Sequence, residues 1–307
     1  MRQVVGIGET ILDILFRNEQ PVSAVPGGSV FNGVISLGKL GLPVSFITEV
    51  GDDHVGNKII GYMHENNVCA DYVNVIADSK SPVSLAFLND KSDAEYVFYK
   101  DYSNNHIEAN FPTLQADDIV IFGSYFALNP LLRPTVKEFL DYAREQKAII
   151  YYDPNFRSTH VGEKLKLTPA LLENFEYADI VRGSKDDFNF LYGLDDVDAI
   201  YKREIKFYCP RFIYTAGSES VELRAGGVIK TYAVPNIEAV STVGAGDNFN
   251  AGVVFALMKL GIKRDDLEHI TEQQWDSIIQ IAISFSTDVC QSFANSVGKT
   301  FVEKNHI

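Results

Sequence analysis

The sequence has 307 residues, of which 46% are hydrophobic, and it carries a formal net charge of −14. This length and apolar content predict a large buried core in one or two domains. The acidic balance excludes a general surface for nucleic acid or anionic membrane, because such partners need a basic face.

Cysteine spacing and hydropathy indicate the compartment. The three cysteines lie far apart and fit neither a disulfide framework nor a metal-ligand spacing: they are Cys69, Cys209 and Cys290. The sequence opens without the basic segment and apolar core of a secretory signal, and no apolar run is long enough to cross a bilayer. We therefore expect a soluble, cytoplasmic protein with reduced thiols.

The chain begins with a short apolar strand at residues 4–8 that ends in glycines. A dinucleotide-binding fingerprint would need a third glycine near Ile11, so we set that site aside. Asp13 follows in an otherwise apolar run, where an unpaired carboxylate is costly. It is either a hydrogen-bonded structural aspartate in a turn, or a ligand-binding carboxylate at the carboxyl end of the first strand, where open α/β sheets bind ligands.

Two glycines, Gly27 and Gly28, precede a predicted helix that ends near Gly41. A backbone without side chains can press against a small molecule, and Asn32 would project from the first turn of this helix. The alternative is a plain turn with a surface asparagine. Residues 33–40 nearly fit a Walker A loop, but a leucine replaces its hydroxyl residue and the segment is helical, so we reject that match.

Residues 83–88 and 96–99 predict two strands joined by a polar turn, with no helix between them. Together with a segment at about 14–25, the region at about 83–102 could form a small β lid that excludes water from a site. An ordinary antiparallel edge of the main sheet is the alternative. In either case we expect a single domain over residues 1–307.

Strands and helices alternate regularly after residue 117. Residues 119–122 and 148–152 predict strands, and residues 131–145 and 275–290 predict helices. This alternation indicates an α/β fold with a doubly wound, mostly parallel sheet and helices on both faces. Polar residues follow the ends of three strands, which predicts functional groups along one edge of the sheet: they are residues 153–157, 184–187 and 215–218.

Residues 241–252 predict a tight turn that leads into a helix. Gly244, Ala245 and Gly246 would let a phosphate approach the free backbone N–H groups of the helix start. Asp247 is unsuited to bind phosphate but is well placed to take a proton from an attacking hydroxyl. A glycine-rich loop with an aspartate that caps a helix is the alternative.

Taken together, these residues resemble the PfkB family of carbohydrate kinases, also called the ribokinase family, over nearly the whole chain. The first family motif is similar to residues 27–32, continued by 38–41 and 50–56, and the second is similar to residues 241–252. Each motif alone is moderately specific. Both in this order are strong evidence, and the resemblance implies a ribokinase-like fold.

The resemblance implies an ATP-dependent kinase that phosphorylates a sugar hydroxyl. Asp247 is then the catalytic base, and the N–H groups of Gly244, Ala245 and Gly246 form the anion hole. The resemblance also implies that the sugar is held by four residues of the N-terminal region: Asp13, Gly27, Gly28 and Asn32.

Further implied roles belong to the strand ends. Residues 153–157 are similar to the Asp-Pro-Asn-x-Arg run of the fructokinase-like branch, which favours a hexose such as fructose and adds Arg157 to the substrate-binding residues. Thr215 and Gly217 match the nucleotide-binding strand end of the family. Ser184 stands where the family motif for magnesium and phosphates begins.

Three departures from the family pattern concern these roles. Asp187 replaces a glutamate of the magnesium motif, and we expect it to act on Mg²⁺ through water. Ser241 replaces an aspartate that helps build a monovalent-cation site in relatives, which leaves activation by potassium in doubt. Ser220 stands where the nucleotide loop often has glycine, so nucleotide contacts there can differ.

Two other functions stay open from the sequence. The acceptor could be a nucleoside or a sugar phosphate, for which Arg157 and Lys100 are candidate cations. The protein could also be a non-catalytic sugar or nucleotide sensor. Aromatic residues of the predicted hairpin further predict a homodimer through the lid: they are Phe87, Tyr96, Phe98 and Tyr99.

Overall fold

A computed structural model describes residues 2–88, 94–99 and 110–306 of the chain. In these ranges the strands β1 to β14 are, in chain order, Val4–Ile7, Ile11–Arg17, Gln20–Gly27, Val44–Gly51, Val68–Cys69, Val73–Ile76, Val83–Leu88, Ala94–Tyr99, Ile119–Gly123, Ile149–Asp153, Ile180–Ser184, Arg211–Thr215, Val221–Ala225 and Val228–Tyr232. The helices α1 to α9 are Ser29–Lys39, His54–Glu65, Arg133–Glu145, Lys164–Tyr177, Lys185–Tyr192, Val197–Ile200, Ala245–Lys259, Glu272–Val289 and Lys299–Asn305.

The large sheet has the strand order β14-β13-β12-β11-β10-β9-β1-β4-β5, and β6 also pairs with β4. The strands from β12 to β5 run parallel, whereas β13 and β14 form an antiparallel end. Alternate residues of β1 belong to different cores: Val4 is part of the core that includes residues of α1, α7 and α8, and Val5 is part of the core that includes residues of α3, α4 and α5. The predicted α/β fold with helices on both faces is therefore confirmed.

A second sheet of four strands has the order β3-β2-β7-β8. In it β2 pairs antiparallel with β3 and parallel with β7, and β7 pairs antiparallel with β8. The idea that residues 83–99 form an edge of the main sheet is therefore wrong, because β7 takes its hydrogen bonds from β2. Residues 89–93 and 100–102 of the predicted lid, with Lys100, lie outside the described residues.

Two helices begin at other residues than the sequence predicts. The helix predicted at 275–290 begins at Glu272, because Thr271 caps it and exchanges hydrogen bonds with Gln274. The helix predicted at 131–145 begins at Arg133, with a proline in its first turn. In the part of the chain that the structure describes, no helix is both long and apolar enough to span a bilayer.

Candidate active site

The glycine turn before α7 presents backbone N–H groups at the start of that helix. Gly244 has φ +78°, a left-handed conformation that favours glycine, and its carbonyl accepts from the N–H of Asn248 at 2.9 Å. The N–H of Ala245 donates to the carbonyl of Thr242 at 3.2 Å. The N–H groups of Gly244 and Gly246 have no hydrogen-bond partner among the described residues. The turn can therefore receive an anion.

Asp247 lies in the first turn of α7 and is held by α1. Its Oδ2 accepts a hydrogen bond of 2.8 Å from Nδ2 of Asn32, a residue 215 positions earlier. Burial of the carboxyl raises the pKa of Asp247 to about 7, against the opposing effects of the Asn32 hydrogen bond and of the positive charges on Arg157 and Arg182. Asp153 raises this pKa further. A carboxyl that titrates near neutrality suits a general base.

Helices α1 and α7 approach closely at a glycine. A Cβ at Gly33 would lie 3.0 Å from the carbonyl oxygen of Asp247, so the small residue lets the two helix starts meet. One turn further on, Ser36 donates a hydrogen bond to the side-chain oxygen of Asn248. The Nδ2 of Asn248 in turn donates to the carbonyls of Gly244 at 2.8 Å and Asn295 at 2.9 Å. This packing fixes the turn relative to α1.

Asp13 lies in β2 of the four-stranded sheet and is buried. The expectation that it sits at the carboxyl end of the first strand is wrong, because β1 ends at Ile7 and the next apolar run pairs with β3 as a separate strand. The carboxylate accepts from the hydroxyl of Ser84 and, at 3.4 Å, from Nδ2 of Asn295. It is thus hydrogen-bonded, as the structural interpretation of this residue expected, but it lies in a strand and not in a turn.

Gly27 and Gly28 leave no room for side chains. A Cβ at Gly27 would lie 2.1 Å from Oδ2 of Asp13. Gly28 has φ +138°, and a Cβ there would lie 2.2 Å from the carbonyl oxygen of Glu9. The backbone of this turn therefore runs directly against the Asp13 carboxylate, and Asn295 joins this region to the turn before Asp247.

A buried ion pair lies at the carboxyl edge of the large sheet. Nη1 of Arg182 in β11 donates to Oδ2 of Asp153 at 2.8 Å, and Nη2 donates to Oγ1 of Thr215 at 2.5 Å. Asp153 also accepts from Nδ2 of Asn250 at 2.6 Å, and the hydroxyl of Tyr151 donates to Oδ1 of Asn250 at 2.9 Å. The hydroxyl of Thr215, predicted to bind nucleotide, is thus an acceptor for Arg182.

Three residues of this region were not predicted from the sequence: Arg182, Asn250 and Asn295. For Arg182 a signal existed, since an arginine inside the apolar strand Ile180–Ser184 is an anomaly that requires a buried partner. Asn250 lies one helical turn beyond Gly246 in α7, where its amide gave no local signal. Asn295 lies outside regular structure and is identified only by its contacts.

Ser184 and Asp187 form a capping box at the start of α5. The Ser184 hydroxyl accepts from the N–H of Asp187 at 3.2 Å, while Oδ2 of Asp187 accepts from the N–H and hydroxyl of Ser184 at 2.6 and 2.7 Å. Oδ1 of Asp187 accepts from the N–H of Phe156 at 2.6 Å. Burial and the nearby charge of Asp153 raise the pKa of Asp187 to about 6. Both side chains therefore have local partners.

The described residues contain no cluster of three or more His, Cys, Asp or Glu side chains suited to hold a metal ion. Ser241 is buried, and its hydroxyl accepts from the N–H of Val243 at 3.2 Å. Arg157 is exposed just after β10, yet near enough to lower the pKa of Asp247. Gly217 forms a turn with φ +56° after β12, and a Cβ there would meet no described atom within 4 Å.

Solved structures share this architecture. A double mutant of fructokinase from Vibrio cholerae O395, in a form bound to fructose, ADP and potassium ion, matches with a TM-score of 0.87 at 16% identity, over 100% of this chain and 99% of that one. Aminoimidazole riboside kinase from Salmonella enterica, complexed with aminoimidazole riboside and an ATP analog, matches with a TM-score of 0.84 at 19% identity over 100% of both chains. The fold is thus that of the ribokinase-like kinases.

The chain belongs to the pfkB family of carbohydrate kinases, whose sequence profile matches residues 1–282. A fructokinase from Rhizobium leguminosarum bv. trifolii is 28% identical over 297 residues, which cover 93% of this chain and 86% of the relative. Fructokinase-1 of Oryza sativa subsp. japonica is 27% identical over 263 residues, 80% of each chain. The resemblance to the fructokinase-like branch is confirmed, and the protein is a carbohydrate kinase.

Proposed function

We propose that this kinase transfers the γ-phosphoryl group of ATP to a hydroxyl of fructose or a related small sugar, with Asp247 as the base. The observation that carries this proposal is the 2.8 Å hydrogen bond between Asn32 and Asp247. This hydrogen bond connects the first family motif, which contains Asn32, to the second, which contains Asp247. It lies beside the turn before α7, whose N–H groups can receive an anion. A sugar hydroxyl held near Asn32 would therefore face both the base and the phosphoryl group.

The chemistry assigned to Asp247 is proton removal from the acceptor hydroxyl. Its pKa of about 7 leaves much of the carboxyl ionised at neutral pH while keeping it basic enough to accept a proton. The N–H groups of Gly244 and Gly246, which have no partner in the part of the chain that the structure describes, would stabilise charge on the transferring phosphoryl oxygens. We assign Ala245 to the same anion hole, although its N–H also donates to Thr242 within the turn.

Asp13, Gly27 and Gly28 are the residues we propose for sugar binding. A buried carboxylate accepts hydroxyl donors strongly, and the two glycines let a ligand approach the backbone. Arg157 is the cation we assign to the outer side of this site. The fructokinase relatives support a hexose as acceptor.

ATP and magnesium are the cofactors we propose. Mg²⁺ binds mainly to phosphates and water with one or two carboxylates, and it neutralises charge on the phosphates when bound. Asp187 already accepts three hydrogen bonds from the protein, which leaves it about one lone-pair site of roughly four. It fits a contact to a metal-bound water rather than a direct ligand. Ser184, Thr215 and Gly217 stay our candidates near the nucleotide.

The acceptor can be tested directly. Fructose, other hexoses, ribose, nucleosides and sugar phosphates are compared in a coupled assay for ADP, with and without potassium. We expect fructose to give the highest kcat/KM. A nucleoside as the best acceptor would instead support the second candidate, which the structural match to aminoimidazole riboside kinase favours.

The test of the base is Asp247→Asn. We expect kcat to fall by about 10²- to 10⁴-fold, because the acceptor loses its proton acceptor. The variant should be at least as stable as the native protein above pH 7, since a carboxyl with a raised pKa destabilises the folded state once it ionises. Asp265→Asn, at an exposed site, is the control.

Near-normal turnover by folded Asp247→Asn would contradict the assignment. Calorimetric sugar binding without turnover of any acceptor by the native protein would support a sensor instead.

We also propose that the four-stranded sheet acts as a lid and carries a dimer contact. Its edge strand β8 exposes three large apolar side chains, Val97, Phe98 and Tyr99. Light scattering over a range of concentrations tests the dimer, and a monomer mass at all concentrations would contradict it. We assign the protein to the cytoplasm, in keeping with its three free cysteines, Cys69, Cys209 and Cys290.

A further inference from the structure

Arg182 is buried at the carboxyl edge of the large sheet, with only 7% of its surface exposed. Among the described residues, Arg182 donates side-chain hydrogen bonds to Asp153 and Thr215, which use two of the five N–H donors of its guanidinium. Its Nε is buried without a hydrogen-bond partner among the described residues. Burying a guanidinium is costly in free energy unless its charge is paired and hydrogen-bonded. The groups around Arg182 therefore indicate what this charge does.

The guanidinium lies directly against the glycine turn. A Cβ added at Gly246 would be 3.1 Å from Nη2 and 3.2 Å from Nη1 of Arg182. The centroid of the Phe249 ring, one turn along α7, lies 5.8 Å from Cζ of Arg182. The side chain therefore packs between the strand ends and the first turn of α7.

We propose that Arg182 is a positioning residue of the phosphoryl-transfer site, whose guanidinium holds the glycine turn in place and supplies a fixed positive charge beside the amides that receive the phosphoryl group. This inference rests on the proposed function. Asp153 and Thr215 hold the two terminal nitrogens of the planar guanidinium, so its position does not depend on a bound substrate. Lysine could not make both contacts while also lying against Gly246.

The same charge acts on Asp247. The described groups with the largest effects on its pKa are Asn32 from α1, Asp153 from β10, Arg182 from β11 and Arg157 from the segment after β10, and Asn32 donates a hydrogen bond to its carboxylate. Asn32 and the two arginines lower its pKa, whereas Asp153 raises it. Loss of Arg182 would remove one positive charge and leave Asp153 without its ion-pair partner. Both changes favour the protonated acid, so the pKa of Asp247 should rise.

The first experiment measures this change with Arg182→Gln and Arg182→Lys. We expect the acidic limb of the kcat/KM profile to move up by roughly one pH unit in Arg182→Gln, and less in Arg182→Lys, which keeps the charge. We expect kcat to fall by roughly 10- to 100-fold from misplacement of the turn, with little change in KM for the sugar.

Arg224→Gln is the matched control. Arg224 in β13 of the same sheet is 6% exposed and pairs with Asp198 at 2.7 Å and Glu222 at 3.1 Å. It is not among the groups with the largest effects on the pKa of Asp247. It should lose stability without any shift of the acidic limb.

The second experiment is a double-mutant cycle with Gly246→Ala. In the native protein the new methyl group would lie too close to a guanidinium that Asp153 and Thr215 hold in place. In Arg182→Gln the shorter side chain leaves room for this methyl group. We expect the loss in kcat/KM caused by Gly246→Ala to be about tenfold smaller in the Arg182→Gln background. The same double-mutant cycle, measured by urea unfolding, gives the coupling free energy between residues 182 and 246 without an activity assay.

The results that overturn the proposal are an unmoved acidic limb in Arg182→Gln together with additive effects in the cycle. If Arg182→Gln does not fold, Arg182→Lys tests the proposal instead. Lysine cannot keep both hydrogen bonds, to Asp153 and to Thr215, so kcat should still fall. Titration of Asp247 by ¹³C-carboxyl NMR, assigned with Asp247→Asn, reports the effect of Arg182 even if no sugar is phosphorylated. Failure of the proposed function is thereby distinguished from failure of this inference.

Discussion

Replacement of Gly27 by alanine tests the geometry of the proposed sugar site. The new Cβ would lie 2.1 Å from Oδ2 of Asp13 and 3.2 Å from Nδ2 of Asn295. Contacts of a real Cβ are essentially never shorter than 3.0 Å, so the distance to Asp13 must open by about 0.9 Å. The carboxylate cannot turn aside freely, because Ser84 and Asn295 both donate to it.

The expected effect follows from this displacement. A shift of about 1 Å in a group that positions a substrate can lower the rate by about 10²-fold. Overpacking of a filled site also lowers the free energy of unfolding by about 1–3 kcal/mol. We therefore expect Gly27→Ala to lose about 10²-fold in kcat/KM for the sugar and about 1–3 kcal/mol of stability.

The assay combines kinetics with coupled ADP detection and urea unfolding. Gly61→Ala in α2 is the control, because a Cβ there meets nothing within 4 Å among the residues that the structure describes. The variant should gain about 0.5–1 kcal/mol of stability without a kinetic change. In the double variant with Asp13→Ala, the stability lost by Gly27→Ala should partly return, whereas activity should not. Wild-type kcat/KM and stability in Gly27→Ala would refute the proposed arrangement of Asp13 and Gly27.

Three further outcomes are expected. In the native enzyme kcat/KM should rise with pH through about 7, because Asp247 must lose its proton to act, and a limb near pH 4 would contradict the role of its burial. Asp53→Ala should lower the free energy of unfolding by about 1–2 kcal/mol, because Asp53 caps α2 through a 2.8 Å bond from the N–H of Gly56. Burial acts to raise the pKa of Asp53, but its hydrogen bonds lower the pKa overall. The difference in stability between the native protein and Asp53→Ala should therefore fade as the pH falls through the native pKa. Asp52→Ala, at an exposed neighbouring position, is the control and should change stability little. Tyr151→Phe should cost about 1–3 kcal/mol in urea unfolding, because it leaves the buried Oδ1 of an asparagine without its donor, and an unchanged midpoint would contradict that.

Much of the fold could be predicted because its signals are local. The buried run Val4–Ile7 predicts a strand by itself, and the glycines before Asp247 predict a turn and a helix start. The start of α8 at Glu272 was missed, because its first turn is polar and only the pairing of Thr271 with Gln274 identifies it.

The candidate site was predicted only in part. The sequence identified Asp247 and Asn32, but their hydrogen bond spans 215 residues and depends on the close approach of α1 and α7 at Gly33. It could not identify Arg182 as a neighbour of Gly246, because that contact is made across separate elements.

The sequence alone determined the alternation of strands and helices after residue 117 and the residue types available for chemistry, since both follow from local periodicity and backbone preference. Only the tertiary structure decided which partner each polar group takes. It buried the Asp187 carboxyl in a helix cap, put Asp13 in a second sheet and paired Arg182 with Asp153. The physical reason is that a hydrogen bond or ion pair depends on distances of a few ångströms between residues far apart in the chain, and local sequence does not encode those distances.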